Sequence, residues 1–294
     1  MAVAARPRRP LAPITTWRVG GPAHDLLEPA SADEVLACIR RARDEGLPWA
    51  VIGRGSNLLV ADEGFPGIVI RLVDTYHAVS ITEDRVTAQA GASTSALIKA
   101  GMEVGLGGIT FLSSIPGSVG GAVFMNAGAH GTQTSDVLIG ARVLEPDGQI
   151  RWRTPADLEM AYRHTALQDA GDRVVLEAAF RVVPQASGAI RKEFLEMAAW
   201  RRERQPQDPS AGSVFANPQG DSAGRLIEAT GLKGYKVGGA MVSPVHANFF
   251  VNTGNATAAD INRLIHEVRA RVFEKHGVLL KPEVRGLGLV VGEV

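Results

Sequence analysis

From Phe111 to Gly131 the chain runs Phe-Leu-Ser-Ser-Ile-Pro-Gly-Ser-Val-Gly-Gly-Ala-Val-Phe-Met-Asn-Ala-Gly-Ala-His-Gly, with five glycines and no acidic side chain. Glycine brings backbone N–H groups close to an anion with no side chain in the way. Pro116 stiffens the entry to this stretch. Ser118 is placed to cap a short helix whose first N–H groups then face outward. The stretch lacks the lysine of a Walker loop. Two readings fit it: a backbone cradle for a pyrophosphate, or a plain glycine-rich loop closing two strands.

The remaining composition excludes several classes. At 294 residues and 45% hydrophobic, the chain can build two or three domains with real cores. Its 31 basic and 31 acidic residues balance, so no charge bias points to nucleic acid or to an anionic membrane. Aromatics at 5% are too sparse for a base-stacking platform. No apolar run approaches the roughly 20 residues of a membrane span. Met1 to Pro13 holds three arginines and three prolines without an apolar core, which is no signal peptide. A loose arm is expected there, and a cytoplasmic protein overall. The single cysteine, Cys38, excludes a disulfide within the chain. It is expected as a buried, inert thiol beside Val35, Leu36 and Ile39. The seven histidines show no metal-ligand spacing, and no metal is expected.

In chain order, strands and helices alternate. Ser31 or Asp33 can cap a helix over 33–45 that Gly46 ends. A short apolar strand at Pro48–Gly53 then runs into the polar turn Arg54-Gly-Ser-Asn57 and on to Leu58. Gly53-x-Gly55 falls short of a dinucleotide fingerprint, because position 58 is leucine and no acidic residue follows at the expected distance. A Rossmann domain is therefore rejected. Ser56 and Asn57 remain possible phosphate donors, against the plainer reading of a strand-to-strand turn.

Strands are expected at 68–72, 78–82 and 85–90. A helix over 93–104 should present Ala96, Leu97, Ala100 and Val104 on one face. More strands follow the glycine stretch, at 137–144, 149–152 and 173–183. This is the pattern of an α+β domain. A helix over 190–204 carries four arginines, for which a solvated face is the plain reading. A proline-rich link, Gln205 to Pro209, follows. The clearest helix, 257–276, has a capping-box start at Thr257 and Asp260 and an apolar stripe of Ile261, Leu264, Ile265, Val268 and Val272.

Three polar residues stand out by their company. Arg163 lies in a compact turn beside Tyr162, where a guanidinium could grip a carboxylate with two prongs; taken alone it reads as a surface ion pair. Ser213 lies between glycine and valine, without the elbow of a serine hydrolase, and alone reads as a turn serine. Glu283 follows Pro282 near the C-terminus and alone reads as a solvated carboxylate.

Together with the glycine segments, these residues carry a resemblance. The chain resembles the UDP-N-acetylenolpyruvoylglucosamine reductase family (MurB, also called UDP-N-acetylmuramate dehydrogenase), from Thr15-Thr-Trp-Arg-Val-Gly-Gly21 to Pro282-Glu-Val-Arg285. The markers are Gly53–Asn57, Ile115–Ala122 with Asn126–Gly131, Tyr162-Arg163, Gly212–Phe215 with Asn217-Pro218, Leu232–Gly234 with Gly238-Gly239, and Pro282-Glu283. The short Tyr162–Arg173 connection resembles the type II subgroup, which lacks a substrate-covering insertion. Two positions depart from the family pattern: Ser114 stands where glycine is expected, and His130 where an aromatic such as tyrosine is expected.

The resemblance implies an α+β fold of the vanillyl-alcohol-oxidase type. Two FAD-binding subdomains, at 1–73 and 74–187, would be followed by a substrate-binding domain at 188–280 and a tail at 281–294 returning to the active site. It implies non-covalent FAD, held by Gly53, Arg54, Gly55, Ser56, Asn57, Leu58, Gly91, Pro116, Gly117, Ser118, Gly120, Gly121, Asn126, Ala127 and Gly128. NADPH would donate hydride. Arg163 would polarise the enolpyruvyl carboxylate, Ser213 would be the general acid, and Glu283 would pair with Arg163 or act protonated. Tyr162 would contact the substrate, and Arg201, Arg204, Asn217, Lys233 and Lys236 would be candidates for its UDP end. The partner implied is this small UDP-sugar enolpyruvyl ether alone, with no nucleic acid, membrane or obligate protein partner. An FAD-linked oxidase and a non-catalytic nucleotide-sugar-binding protein are the rival readings.

Overall fold

The computed structural model describes residues 9–293. Most of the expected arm, residues 1–8, lies outside them. The described part of that arm is anchored: Leu11 is fully buried, and Ala12–Ile14 forms a 3-10 turn.

The first sheet is parallel and three-stranded. Phe65–Arg71 lies between Ala23–Leu27 and Trp49–Ile52. Its central residues Ile68, Val69 and Ile70 are all fully buried, as a strand covered on both faces requires. The helix Ala32–Asp44 covers one face through Val35, Ile39 and Ala42. Ser31 caps it by accepting from the Glu34 N–H, so of the two candidates the serine takes that role. Asp33 and Glu34 in its first turn and Arg41 and Arg43 in its last suit the helix dipole. Cys38 is only half-buried against this core, and burial pushes its thiol pKa up.

The second sheet is antiparallel, in the order Ile150–Arg153, Leu138–Leu144, Val174–Arg181, Arg85–Gln89, Val79–Ile81. The helix Thr94–Glu103 packs on it, capped by Ser93. Its buried residues are Thr94, Leu97, Ile98 and Gly101, whereas Val104 is exposed. The expected apolar face is thus turned by one position, because Gly101 must lie against the Leu106 carbonyl, where a Cβ would come within 2.5 Å.

The helix Ser187–Arg204 begins three residues before its expected start. Its Ile190, Phe194 and Met197 pack into the same core as the second sheet. The guanidiniums therefore ride on a helix fixed to the core of the second sheet, ahead of the separate core of the C-terminal sheet. That sheet runs Ser210–Ser213, Phe249–Asn252, Ala240–Val242, Lys236–Val237. The helix Ala258–His276 covers it with all five stripe residues buried, and both halves of the Thr257–Asp260 capping box form.

Two crossings tie the C-terminal core to the N-terminal segments. Trp17 is fully buried among C-terminal residues, with its indole N–H on the Phe250 carbonyl at 2.7 Å. Asn252 returns a bond to the Trp17 carbonyl at 2.9 Å. At the other end, Arg285–Leu287 pairs in parallel with Leu58–Val60. That pairing carries the tail back to the polar turn after the second strand.

Trp17→Phe keeps most of the apolar bulk but orphans the buried Phe250 carbonyl. The expected loss of stability is about 2 kcal/mol, measured by chemical denaturation, with the N-terminal segment released from the C-terminal core.

Candidate active site

The two glycine loops meet at the floor of a cavity of about 840 Å³. A Cβ added to Gly53 would lie 2.2 Å from Ser118 Oγ, and one added to Gly117 would lie 3.1 Å from Ser56 Oγ. Gly55 needs its left-handed backbone (φ 63°) and lies against the Ile14 carbonyl. Gly120 sits on Ala90, where a Cβ would meet Ala90 Cβ at 2.8 Å, while its N–H bonds the Ala90 carbonyl at 2.8 Å. Ser118 caps the short helix Val119–Phe124 by accepting from the Gly121 N–H.

The N–H groups of Gly55, Ser56, Gly117 and Ser118 donate to no backbone acceptor among the described residues. Donors of this kind on two facing loops, without acidic side chains, fit a dinucleotide pyrophosphate. Arg54, Asn57, Leu58, Pro116, Gly121, Ala127 and Gly128 also line the cavity, so the chain's donor set suits FAD.

Two expected flavin contacts are not in the cavity wall. Gly91 is a packing glycine, since a Cβ there would lie 2.3 Å from the Tyr76 carbonyl and 2.7 Å from the Val73 nitrogen. Asn126 is fully buried with φ 40°. Its Nδ2 donates to the Ala161 carbonyl at 2.8 Å, and its Oδ1 accepts from the Ser135 N–H at 2.9 Å. It ties the glycine stretch to the turn that carries Arg163.

Ala161 and His164 close that turn with reciprocal backbone bonds. Arg163 sits within it in the left-handed region, φ 56°, which costs on the order of 1 kcal/mol for a non-glycine residue. Its guanidinium is held on two sides. Nη2 donates to the Gly128 carbonyl at 2.8 Å, and Nε lies 3.3 Å from both Glu283 oxygens. Burial pushes the Glu283 carboxyl above its usual range, and Arg163 opposes that rise.

The Glu283 N–H donates to the Val214 carbonyl at 2.8 Å, and the Glu283 carbonyl accepts from Asn57 Nδ2 at 2.9 Å. Ser213, which precedes Val214 at the end of its strand, therefore shares the cavity wall with Arg163 and Glu283. Gly212 supplies the left-handed bend (φ 78°) just before it.

The candidates for substrate contacts divide. Arg201 lines the cavity; it donates to Gln205 Oε1 at 3.0 Å, and burial lowers its pKa. The others lie off the wall. Tyr162 is half-exposed, and its hydroxyl accepts from the Asn217 N–H at 3.3 Å. Asn217 Oδ1 accepts from the Ala223 N–H at 3.0 Å. Lys233 pairs with Glu228 at 2.8 Å, Lys236 is exposed on an edge strand, and the Arg204 guanidinium lies over the Trp200 ring.

Several wall residues carry no motif. Trp200, His246, Gln168, Arg173 and Arg285 all face the cavity. His246 Nδ1 accepts from the Asn248 N–H at 3.2 Å, and burial lowers its pKa. Arg173 lies 3.0 Å from the buried Glu145, which also accepts from Arg153 at 2.7 Å. Ser114 and His130, the two departures from the family pattern, touch each other: Ser114 Oγ lies 2.7 Å from His130 Nε2.

These features define a flavin-binding α+β fold joined to a domain that closes over the same cavity. Residues 24–154 match the FAD binding domain family. Residues 205–287 match the C-terminal domain of UDP-N-acetylenolpyruvoylglucosamine reductase. The UDP-N-acetylenolpyruvoylglucosamine reductase of Rubrobacter xylanophilus is 45% identical over 285 residues, 97% of this chain and 96% of that protein. The protein of that name from Parasynechococcus marenigrum is 47% identical over 293 residues, covering 97% of each chain. The crystal structure of UDP-N-acetylenolpyruvylglucosamine reductase from Thermus caldophilus aligns with a TM-score of 0.80 at 36% identity, over 95% of this chain and 98% of that one. The chain belongs to the UDP-N-acetylenolpyruvoylglucosamine reductase family.

Gly53→Ala drives a methyl into Ser118, which can move only by giving up its helix cap. The purified variant should fold yet lose most of its flavin, read from the visible absorbance per mole of protein. For Glu283, a folded-state pKa above the unfolded value means that the folded state binds the proton more tightly. Its contribution to stability is complete below the ordinary carboxylate pKa and is lost as pH rises through the raised value. Melting curves from pH 4 to 8 should show Glu283→Gln losing this downward component, so that its Tm climbs relative to the parent as pH rises.

Proposed function

We propose that this chain reduces the enolpyruvyl ether of UDP-N-acetylglucosamine enolpyruvate to UDP-N-acetylmuramate in peptidoglycan precursor synthesis. The observation that carries this reading is the convergence of Ser213 and the Arg163–Glu283 pair on one cavity floored by two glycine loops. Bound FAD would supply the chemistry of hydride transfer between NADPH and the enolpyruvyl double bond. The Gly53–Asn57 loop and the Ile115–Gly131 stretch would hold its pyrophosphate and ribityl chain.

Adding hydride at C3 of the enolpyruvyl group builds negative charge on its carboxylate, as an enolate-like species. The Arg163 guanidinium, already fixed by Gly128 and Glu283, stabilises that charge as it develops without having to reorganise. Ser213 gives its proton to C2. A serine hydroxyl is a weak acid, so it delivers only to the strong base forming beside it. Glu283, buried against Arg163, holds that cation in place and tempers the field at the reacting carbons.

Among the basic candidates, Arg201 lines the cavity, and we assign the diphosphate to it. Tyr162 and Asn217, bonded to each other off the cavity wall, remain candidates for further substrate contacts. No helix among the described residues is long and apolar enough to cross a membrane. We place the reaction in the cytoplasm, on a small-molecule substrate without an obligate protein or nucleic-acid partner.

Ser213→Ala separates the two halves of the reaction. NADPH should bleach its flavin at a rate within about twofold of the parent. Recovery of the oxidised spectrum by the enolpyruvyl sugar nucleotide should slow by roughly 100-fold or more. Normal recovery would remove the serine from the chemistry; a parent protein whose reduced flavin the nucleotide leaves bleached would instead favour one that binds the nucleotide sugar without transforming it.

A further inference from the structure

Beneath the Arg163 turn lies a carboxamide that the chemistry above does not use. Gln168, in the short helix Leu167–Ala170, donates from Nε2 to two carbonyls: Phe124 at 3.0 Å and Arg163 at 3.3 Å. Its Oε1 accepts from Arg285 Nη1 at 3.4 Å. Arg285 in turn donates its backbone N–H to the Asn57 carbonyl at 3.0 Å, and its guanidinium lies 5.6 Å from the centroid of the Phe124 ring.

One side chain thus touches the last residue of the short helix in the glycine stretch, the peptide of Arg163 and the strand two residues past Glu283. These are the segments whose relative placement sets the Arg163–Glu283 contact. They are remote in sequence, and Arg163 stands in a backbone conformation that its neighbours must enforce. A primary amide suits this position because it is donor and acceptor at once. The donor end turns the Arg163 carbonyl, and the acceptor end receives the tail.

We propose that Gln168 is a positioning residue for the Arg163–Glu283 pair, clamping the Arg163 peptide and Arg285 together so that the guanidinium meets the substrate carboxylate in a fixed place. The proposal rests on the role given to Arg163 above. Gln168 touches no reacting atom. It acts through Arg163, as misplacement of a positioned group costs rate without removing the group.

The test uses the FAD-loaded full chain in anaerobic stopped flow. Gln168→Leu removes both ends of the clamp at similar volume. Gln168→Asn keeps the amide but is one methylene short, and it serves if the leucine variant fails to hold flavin. The expected result is flavin reduction by NADPH within about twofold of the parent. Reoxidation by saturating enolpyruvyl sugar nucleotide should be about tenfold slower, with the concentration of half-saturation changed less than the rate. On an Arg163→Lys background, Gln168→Leu should add less than twofold, because residues acting through one another are not additive. Parent-like reoxidation in both Gln168 variants, or a full tenfold further loss on the Arg163→Lys background, overturns the proposal. Arg163→Ala alone reports on the reading beneath it. If Arg163→Ala reoxidises normally, the assigned role of Arg163 fails. If it is impaired while the Gln168 variants are not, the clamp alone fails.

Discussion

The contact between Arg163 and Glu283 spans 120 positions of sequence, and much of the architecture serves to make it. Glu283 reaches the site because the tail pairs in parallel with Leu58–Val60 and its N–H bonds Val214. Arg163 reaches it because a reciprocal turn at Ala161 and His164 holds a left-handed arginine, with Asn126 bracing that turn from below. A buried ion pair of this kind is a weak source of stability, because desolvating both charges offsets most of their attraction. Its cost is better understood as the cost of a preorganised field. The partly buried guanidinium is already held by Gly128 and Glu283 before any substrate charge develops. Burial pushes the Glu283 carboxyl above its usual range, against the pull of Arg163.

The glycine loops obey a different constraint, which is steric. Gly53 and Gly117 let two loops from different parts of the chain approach until serine hydroxyls fill the places where Cβ atoms would stand. Gly120 lets the short helix press onto Ala90. The floor of the cavity is therefore backbone, while its walls are side chains from the C-terminal sheet and from the helix Ser187–Arg204. This division separates tasks. Backbone amides can hold a pyrophosphate whatever lies above them. The substrate chemistry is then decided by side chains delivered from elsewhere.

What could be read in the sequence follows from whether the signal is local. The capping box at Thr257, the apolar stripe of its helix and the Ser31 and Ser118 caps are local, and they form as patterned. The glycine loops are legible as loops, but their facing one another, which is what suits them to a pyrophosphate, is not a local signal. Arg163, Ser213 and Glu283 are each unremarkable alone, and only the family resemblance grouped them. Gly91 and Asn126 carried the same kind of signal as true wall residues, yet one packs against Tyr76 and the other pins a turn. Motif membership does not distinguish a contact from its support. Gln168, Arg173 and His246 face the cavity without any motif, since register, closure and the reach of a long side chain put them there.

Ser114 and His130 show how a departure from a pattern is best judged. Taken singly, each weakens the resemblance: a glycine has gained a side chain, and an aromatic has been exchanged for imidazole. In the fold they are one feature. The Ser114 hydroxyl lies 2.7 Å from the exposed His130 imidazole, a contact that a glycine at 114 could not make. The ring then meets Trp200 edge-on at 5.0 Å, the contact an aromatic residue would seek in that place. The exchange at 130 therefore keeps the wall aromatic and joins the glycine stretch to the helix that bears Arg201. Because a hydroxyl on one side and an indole on the other hold it, the imidazole is fixed at the wall without being buried.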